Sequence, residues 1–297
     1  MQAGFVPRTR PLHFSMSSDF NKVAILGGGL LGGSLALAVG SSCSLWSRRE
    51  GTTALAKQAG ISGATSDLSE ALTDADLVVL AVPVGAMPEL LSKAIAAGLS
   101  PSALVTDVGS VKGMVHATLP PLLVSNGNVF IGSHPMAGSE RGGIESATST
   151  LFENAPCLMT DDQQAGTESC DKLERFWTSV GCRTSWLSSA THDELVARIS
   201  HLPHVLAAAG AMIALQSPGD GRFGGGGLRD TTRVAGGDPT MWAEILIENR
   251  AALSAPLRET IEELREMLAL LESGDHENVR RWLATAKSRR DALSSTH

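Results

Sequence analysis

From Val23 to Trp186 the chain alternates short apolar runs with longer stretches whose apolar residues recur every three or four positions. Short runs predict strands, the periodic stretches predict helices, and regular alternation of the two is what parallel strands joined by crossover helices require. Strands are expected at Val23–Gly27, Ser44–Trp46, Leu77–Val82, Ala103–Val108, Val129–Gly132, Pro156–Met159 and Arg183–Trp186. Helices are expected between them at Leu30–Val39, Thr52–Ala59, Ser69–Ala75, Gly85–Ala97, Lys112–Leu123 and Asp171–Val180. This is the pattern of one doubly wound sheet. Beyond about Ser188 the β-branched runs stop and helical periodicity takes over. Thr191 followed three residues later by Glu194 has capping-box spacing and predicts a helix starting near His192. Pro239 falls where a first helical turn tolerates proline, and Met241 to Glu272 carries a long apolar stripe (Ile245, Leu246, Leu253, Leu257, Ile261, Leu264, Leu268, Leu271). A last helix is expected at Asn278–Leu293. Such a stripe must be covered, and a second copy of the chain is the favoured cover.

The chain has 297 residues, 43% of them apolar and 19% charged, enough for two domains with a real core. The predicted division is an extension over residues 1–20, expected to be disordered, a sheet domain over 21–187 and an all-helical domain over 188–297. A formal charge of −7 argues against nucleic acid and against an anionic membrane surface, both of which want a basic face. Small molecules are the expected ligands. The longest runs poor in charge, Leu77–Met87 and Val205–Leu215, fall short of the ~20 residues of a membrane span, and residues 1–19 lack the compact apolar stretch of a secretory signal. Cys43, Cys157, Cys170 and Cys182 lie far apart with no C-x-x-C pair, which fits a reducing, cytoplasmic setting and gives no metal-ligand spacing.

The segment Gly27 to Gly32 (GGGLLG) follows a strand and opens a helix, with Gly27, Gly29 and Gly32 in G-x-G-x-x-G register. That context makes it a dinucleotide site in a Rossmann-type domain: a tight turn, close backbone approach to a pyrophosphate, and close helix packing at the helix N-terminus. Gly28, Leu30 and Leu31 belong to the same loop, and Val82, Pro83 and Asp107 at neighbouring strand ends complete the expected cofactor site. At the end of the second strand NAD specificity calls for an acid that grips the ribose 2′-hydroxyl, but the residues are Ser47, Arg48 and Arg49. A small hydroxyl with two guanidinium groups suits a 2′-phosphate, so NADP is favoured over NAD. The alternative is that both arginines are ordinary solvated residues at a helix start.

Three other segments carry polar groups where an open α/β sheet places its ligands. Thr106 to Lys112 contains Ser110, which on its own is more often a helix cap than a catalytic hydroxyl. Gly132 to Glu140 contains His134 just past an apolar run, where a functional and a structural histidine are equally expected. Ser200 to His204 sets two imidazoles, His201 and His204, three apart on one helix face. The loop after four glycines, Leu228 to Arg233, is either a carboxylate-binding turn or a flexible surface loop with an Asp230–Arg233 pair.

Together these segments resemble the prephenate and arogenate dehydrogenases of tyrosine biosynthesis. Asp107–Lys112 (DVGSVK), Ser133–Glu140 (SHPMAGSE), Ser200–His204 (SHLPH), Leu228–Arg233 (LRDTTR), Asp238–Trp242 (DPTMW) and Glu248–Arg250 (ENR) follow the family's order from about Lys22 to Arg290. The resemblance implies a nicotinamide-binding sheet domain, a helical domain that forms a homodimer, and an active site between them. It implies that His134 is the catalytic histidine that takes the proton of a ring hydroxyl as hydride leaves the same carbon, and that Ser110 orients it. It also implies that Arg233 anchors a substrate carboxylate and that His204, Glu140 and Trp242 line the pocket, with His201, Asp230 and His192 in support. The implied reaction is oxidative decarboxylation of prephenate to 4-hydroxyphenylpyruvate, with arogenate to tyrosine as the alternative. A neutral imidazole is the competent base, so activity is expected to fall as pH drops through the His134 pKa.

No regulatory domain is expected after Leu293 and no fused mutase before Asn21, so any feedback control is expected to act at the active site. A β-hydroxyacid or imine dehydrogenase has the same coarse pattern but characteristically uses a lysine on its helical domain, and no lysine lies between Lys172 and Lys287. A non-catalytic NADP sensor is the more distant alternative; it would not need Ser110, His134 and Arg233 together.

Overall fold

The computed structural model describes residues 19–139, 141–217 and 219–294. Alternating strands and helices run β1 (Val23–Leu26), α1 (Leu30–Val39), β2 (Cys43–Trp46), α2 (Glu50–Gln58), β3 (Ala64–Thr65), α3 (Leu68–Leu72), β4 (Leu77–Leu80), α4 (Met87–Ala96), β5 (Leu104–Asp107), α5 (Gly113–Leu123) and β6 (Val129–Phe130). All strand pairs are parallel in the order β3-β2-β1-β4-β5-β6, the doubly wound order with its switch point beside β1. Burial on both faces explains the nearly unbroken apolar strands. In β1 and β4 the side chains Val23, Ile25, Leu77 and Val79 enter one core layer, while Ala24, Leu26, Val78 and Leu80 enter the other.

The three later strands do not extend this sheet, which corrects the single-sheet expectation. β7 (Gly132–Pro135), β8 (Pro156–Thr160) and β9 (Arg183–Leu187) form a second sheet, β7 antiparallel to β8 and β8 parallel to β9 across α6 (Thr167–Ser179). Gly132 makes the change of sheet possible: a Cβ there would lie 2.4 Å from Thr160 Oγ1. Pro135 has no amide to donate and is tolerated because β7 is an edge. His134 therefore lies within a strand, not at the end of one.

Two boundaries also move. The helix expected to start near His192 is α7 (Ser189–Val196), capped by Ser188, whose hydroxyl accepts from Thr191 N at 3.1 Å; the same three-residue offset recurs one turn earlier than the box that the sequence suggested. Residues 19 and 20 belong to the fold: Asp19 pairs with Arg175 and Phe20 is buried edge-on against Phe176, with ring centroids 6.1 Å apart. The rest of the expected extension lies outside the described residues.

After α7 a π-helical turn (Ala197–His201) leads into α8 (Leu202–Ala214), then α9 (Gly226–Thr232) and α10 (Pro239–Glu248). The continuous helix Ser189–Ala214 is, by length and composition alone, apolar enough to cross a membrane, but it carries the buried side chains of His192, His201 and His204. The apolar stripe from Met241 is divided at Asn249, after which α11 (Arg250–Ser273) and α12 (His276–Ser294) form a helical hairpin. The described chain separates into two compact units at this point, 19–249 and 250–294. Within the second unit Trp282 Nε1 donates to Glu263 at 2.8 Å, and Ile261, Leu264, Leu268 and Leu271 are exposed.

Trp177 anchors α6 to β7 of the second sheet. It has no exposed surface and its Nε1 donates to Ser133 Oγ at 2.9 Å. Trp177→Ala is expected to cost about 3–5 kcal/mol in denaturant unfolding; a loss below about 1 kcal/mol contradicts this packing.

Candidate functional site

The glycine loop is built as the dinucleotide pattern requires. Gly27 has φ +137°, and a Cβ on it would lie 2.2 Å from the Ala81 carbonyl oxygen. A Cβ on Gly32 would fall 1.9 Å from the Gly27 carbonyl oxygen, so only glycine lets α1 come this close to the loop. A Cβ on Gly29 meets nothing within 4 Å, which leaves open space on the side where a pyrophosphate would approach. Gly29 caps α1 without a side-chain hydrogen bond, and the first turn holds no acidic residue. Among the described residues no side chain caps this helix start, and its first amides and positive end fit an anionic group. Leu30 and Leu31 open the helix half-buried, and Val82 and Pro83 follow β4 beside the loop.

At the end of β2, Ser47 is buried while Arg48 and Arg49 are exposed, Arg49 as the N-cap of α2. Asp107 requires a correction. Its carboxylate has no exposed surface and is consumed within the protein: Lys112 Nζ lies 2.5 Å away, Gly109 N donates at 2.8 Å and Ser133 N at 3.1 Å. The carboxylate braces the loop after β5.

The second sheet brings His134 to the start of the helical segment. His134 Nδ1 lies 2.9 Å from His192 Nε2, and His192 Nδ1 lies 2.8 Å from Asp193 Oδ1. The Asp193 carboxylate also accepts from the amides of Lys112 at 2.7 Å and Gly113 at 2.8 Å. One anion thus ties α7 to the loop that carries Ser110. Among the described residues no hydrogen bond joins Ser110 to His134, whose Nδ1 is taken by His192. Burial pushes the His134 pKa well below 6.5, and His192, Lys112 and His201 add to that shift. The imidazole is therefore held neutral, so the acid loss of activity expected from the sequence moves to lower pH.

His201 and His204 converge on Trp242. The His204 ring stacks on the indole at 3.6 Å with 9° between planes, and His201 meets it edge-on at 6.2 Å. The His204 ring donates to the Val234 carbonyl, which sets the short turn holding Arg233 beside it; Arg233 itself is exposed. Asn249 Nδ2 reaches both His201 Nδ1 at 3.0 Å and the Asp193 carbonyl at 2.9 Å. Burial lowers the His201 pKa to about 4. Among the described residues His201 Nε2 and His204 Nδ1 are buried with no partner, a cost that a polar ligand would relieve. Glu140 lies outside the described residues.

Sequence reasoning missed Asp193, Lys112 and Asn249. Each is an unremarkable polar residue in one dimension; Lys112 and Asn249 stood within the quoted segments DVGSVK and ENR without a role, and Asp193 stood beside His192. It also missed Glu244 and Glu248, one turn apart on α10. Glu244 accepts from Gly85 N in the β4 loop at 2.5 Å, and burial with the neighbouring Glu244 raises Glu248 to about 7.

Comparison with known proteins gives this arrangement a family. The model of the prephenate dehydrogenase nucleotide-binding domain matches residues 37–186, and that of the prephenate dehydrogenase dimerization domain matches residues 188–285. A cyclohexadienyl dehydrogenase of Zymomonas mobilis is 32% identical, the alignment covering 94% of this chain and 98% of the relative. The structure of prephenate dehydrogenase from Aquifex aeolicus, in complex with hydroxyphenyl propionate and NAD+, superposes with a TM-score of 0.82 at 28% identity over 92% of this chain and 98% of its own. That of Synechocystis arogenate dehydrogenase gives 0.75 at 32% identity over 92% and 99%. Two matching domain models in the order of the chain, with an α/β nucleotide-binding part followed by a helical part, show that this protein belongs to the prephenate dehydrogenase family of oxidoreductases.

Proposed function

We propose that the protein oxidatively decarboxylates prephenate to 4-hydroxyphenylpyruvate, with His134 as the base. The observation that carries this reading is the buried imidazole of His134, held neutral and fixed at one nitrogen by His192. His134 takes the proton of the ring hydroxyl as hydride leaves the carbinol carbon; the bond to the ring carboxylate breaks, carbon dioxide departs, the ring becomes aromatic, and the phenolate oxygen takes the proton back from His134. A bound nicotinamide supplies the hydride acceptor. This chain's own share is to orient and to hold charge: the Gly27–Gly32 loop for a pyrophosphate, Arg233 for a substrate carboxylate, and the His204–Trp242 stack with His201 as pocket wall. Ser110 stands on the loop that Asp193 holds, within the same constellation.

NADP is the favoured cofactor, supported by the exposed Arg48 and Arg49 beside Ser47 and by the absence of an acid at that strand end. Arogenate is the second reading. It is supported by the arogenate dehydrogenase of Synechocystis, 32% identical, and by the same arginine pair, since NADP goes with arogenate in much of the family. The division at residues 187/188 separates nucleotide binding from the substrate wall and dimer contacts. A homodimer through the helical part is supported by the exposed apolar side chains of α11 and by the description of the matching model as a dimerization domain. The four cysteines are free thiols, which goes with a reducing cytoplasm.

Initial rates with prephenate or arogenate, crossed with NAD or NADP, test the proposal. Turnover is expected to be strongest with prephenate and NADP; arogenate alone would transfer the assignment, and no turnover in any combination would refute both. His134→Asn is expected to lower kcat by about 10²–10⁴-fold while nucleotide affinity stays as in the wild type. A variant that keeps its kcat removes His134 from the mechanism.

A further inference from the structure

The hydrogen-bond chain from Asp193 to His134 has a direction. Burial raises the Asp193 pKa, but bonds from His192 and from the Lys112 and Gly113 amides outweigh it and hold the carboxyl below its usual value. An ionised carboxylate can only accept, so the hydrogen between Asp193 and His192 is carried by His192 Nδ1. Burial also lowers the His192 pKa, leaving its ring neutral and its Nε2 a lone pair. At 2.9 Å from that lone pair, His134 Nδ1 completes a hydrogen bond only as the donor. The remaining ring nitrogen, Nε2, is then bare.

We infer that Asp193 and His192 are positioning residues that lock His134 in its Nδ1–H tautomer, so that Nε2 is the atom that receives the substrate's proton. The lock is rigid: His192 has no exposed side-chain surface, both Asp193 oxygens are engaged by the loop after β5, and the Asp193 carbonyl accepts from Asn249. Without it, neutral His134 would divide between two tautomers, one of which puts a hydrogen where a base needs a lone pair. The catalytic consequence rests on His134 being the base; the tautomer itself does not.

Two experiments test this. In the ligand-free wild-type protein labelled with ¹⁵N-histidine, nitrogen–proton correlation spectra near neutral pH are expected to show a protonated Nδ1 and a bare Nε2 for His134, its signals identified by their loss in His134→Asn. The opposite pattern, or a mixture, overturns the inference. The second compares His192→Gln with His192→Leu. A glutamine carbonyl can still accept from His134 Nδ1, whereas leucine fills much of the same space and cannot. The glutamine variant is expected to keep kcat within about tenfold of the wild type and the leucine variant to lose about 10²-fold or more, with KM and nucleotide affinity alike in the two. Equal kcat values would mean that His192 acts by packing alone, and would overturn the inference. If neither variant folds, the wild-type spectrum decides. If the wild type turns over neither prephenate nor arogenate, the functional proposal fails while the spectrum still decides the tautomer.

Discussion

The Asp193 carboxylate is the interaction on which the site depends. Four groups from different parts of the chain meet at this residue: the amides of Lys112 and Gly113, the imidazole of His192 and, at its carbonyl, Asn249. A buried anion is costly unless its lone pairs are filled, and here they are filled by donors that must themselves be placed to within a few tenths of an ångström. Satisfying Asp193 therefore fixes α7 against the loop after β5. The position of His134 follows, because His192 leaves Asp193 on one side and reaches His134 on the other.

A fully buried charge pair underlies this network. Asp107 and Lys112 have no exposed side-chain surface, and Asp107 also gathers the amides of Gly109 and Ser133. Such a pair is weak as a source of stability, since desolvation offsets the attraction, but removing one member leaves an uncompensated charge. Its effect is geometric: it joins the end of β5 to the start of β7, one residue before His134. Lys112 supplies both its ammonium to Asp107 and its amide to Asp193, so the two anions share one loop. The same ammonium helps keep His134 neutral, which links the architecture of the loop to the chemistry of the base.

Much of the nucleotide-binding part was legible from sequence. The strand–glycine–helix pattern at Val23 to Val39 is local, and the structure supplies the steric reason for Gly27 and Gly32 and open space beside Gly29. What failed was pairing. Periodicity reports which faces of a strand are buried but not which strand lies beside it, so β7, β8 and β9 were assigned to the wrong sheet and His134 to the end of a strand and not its interior. The site was legible as a set of residues and not as a network. His134, His201 and His204 stood out by residue type and Trp242 through the family resemblance, and the last three do converge. Asp193 and Asn249 did not stand out, because their importance lies in contacts across 56 and more residues of chain. Asp107 misled for the same reason: a carboxylate at a strand end reads as ligand-facing until its buried partner is seen.

Direct titration of His134 tests the central claim, that this network keeps the base neutral. Its ring nitrogens can be followed in the wild-type protein as pH is lowered from neutrality, with His192, His201 and Lys112 as the charged or titratable groups around it. The account predicts a ring that remains neutral through 6.5 and takes up a proton only well below that value. A midpoint at or above 6.5 would show that burial does not control the base, and would contradict it.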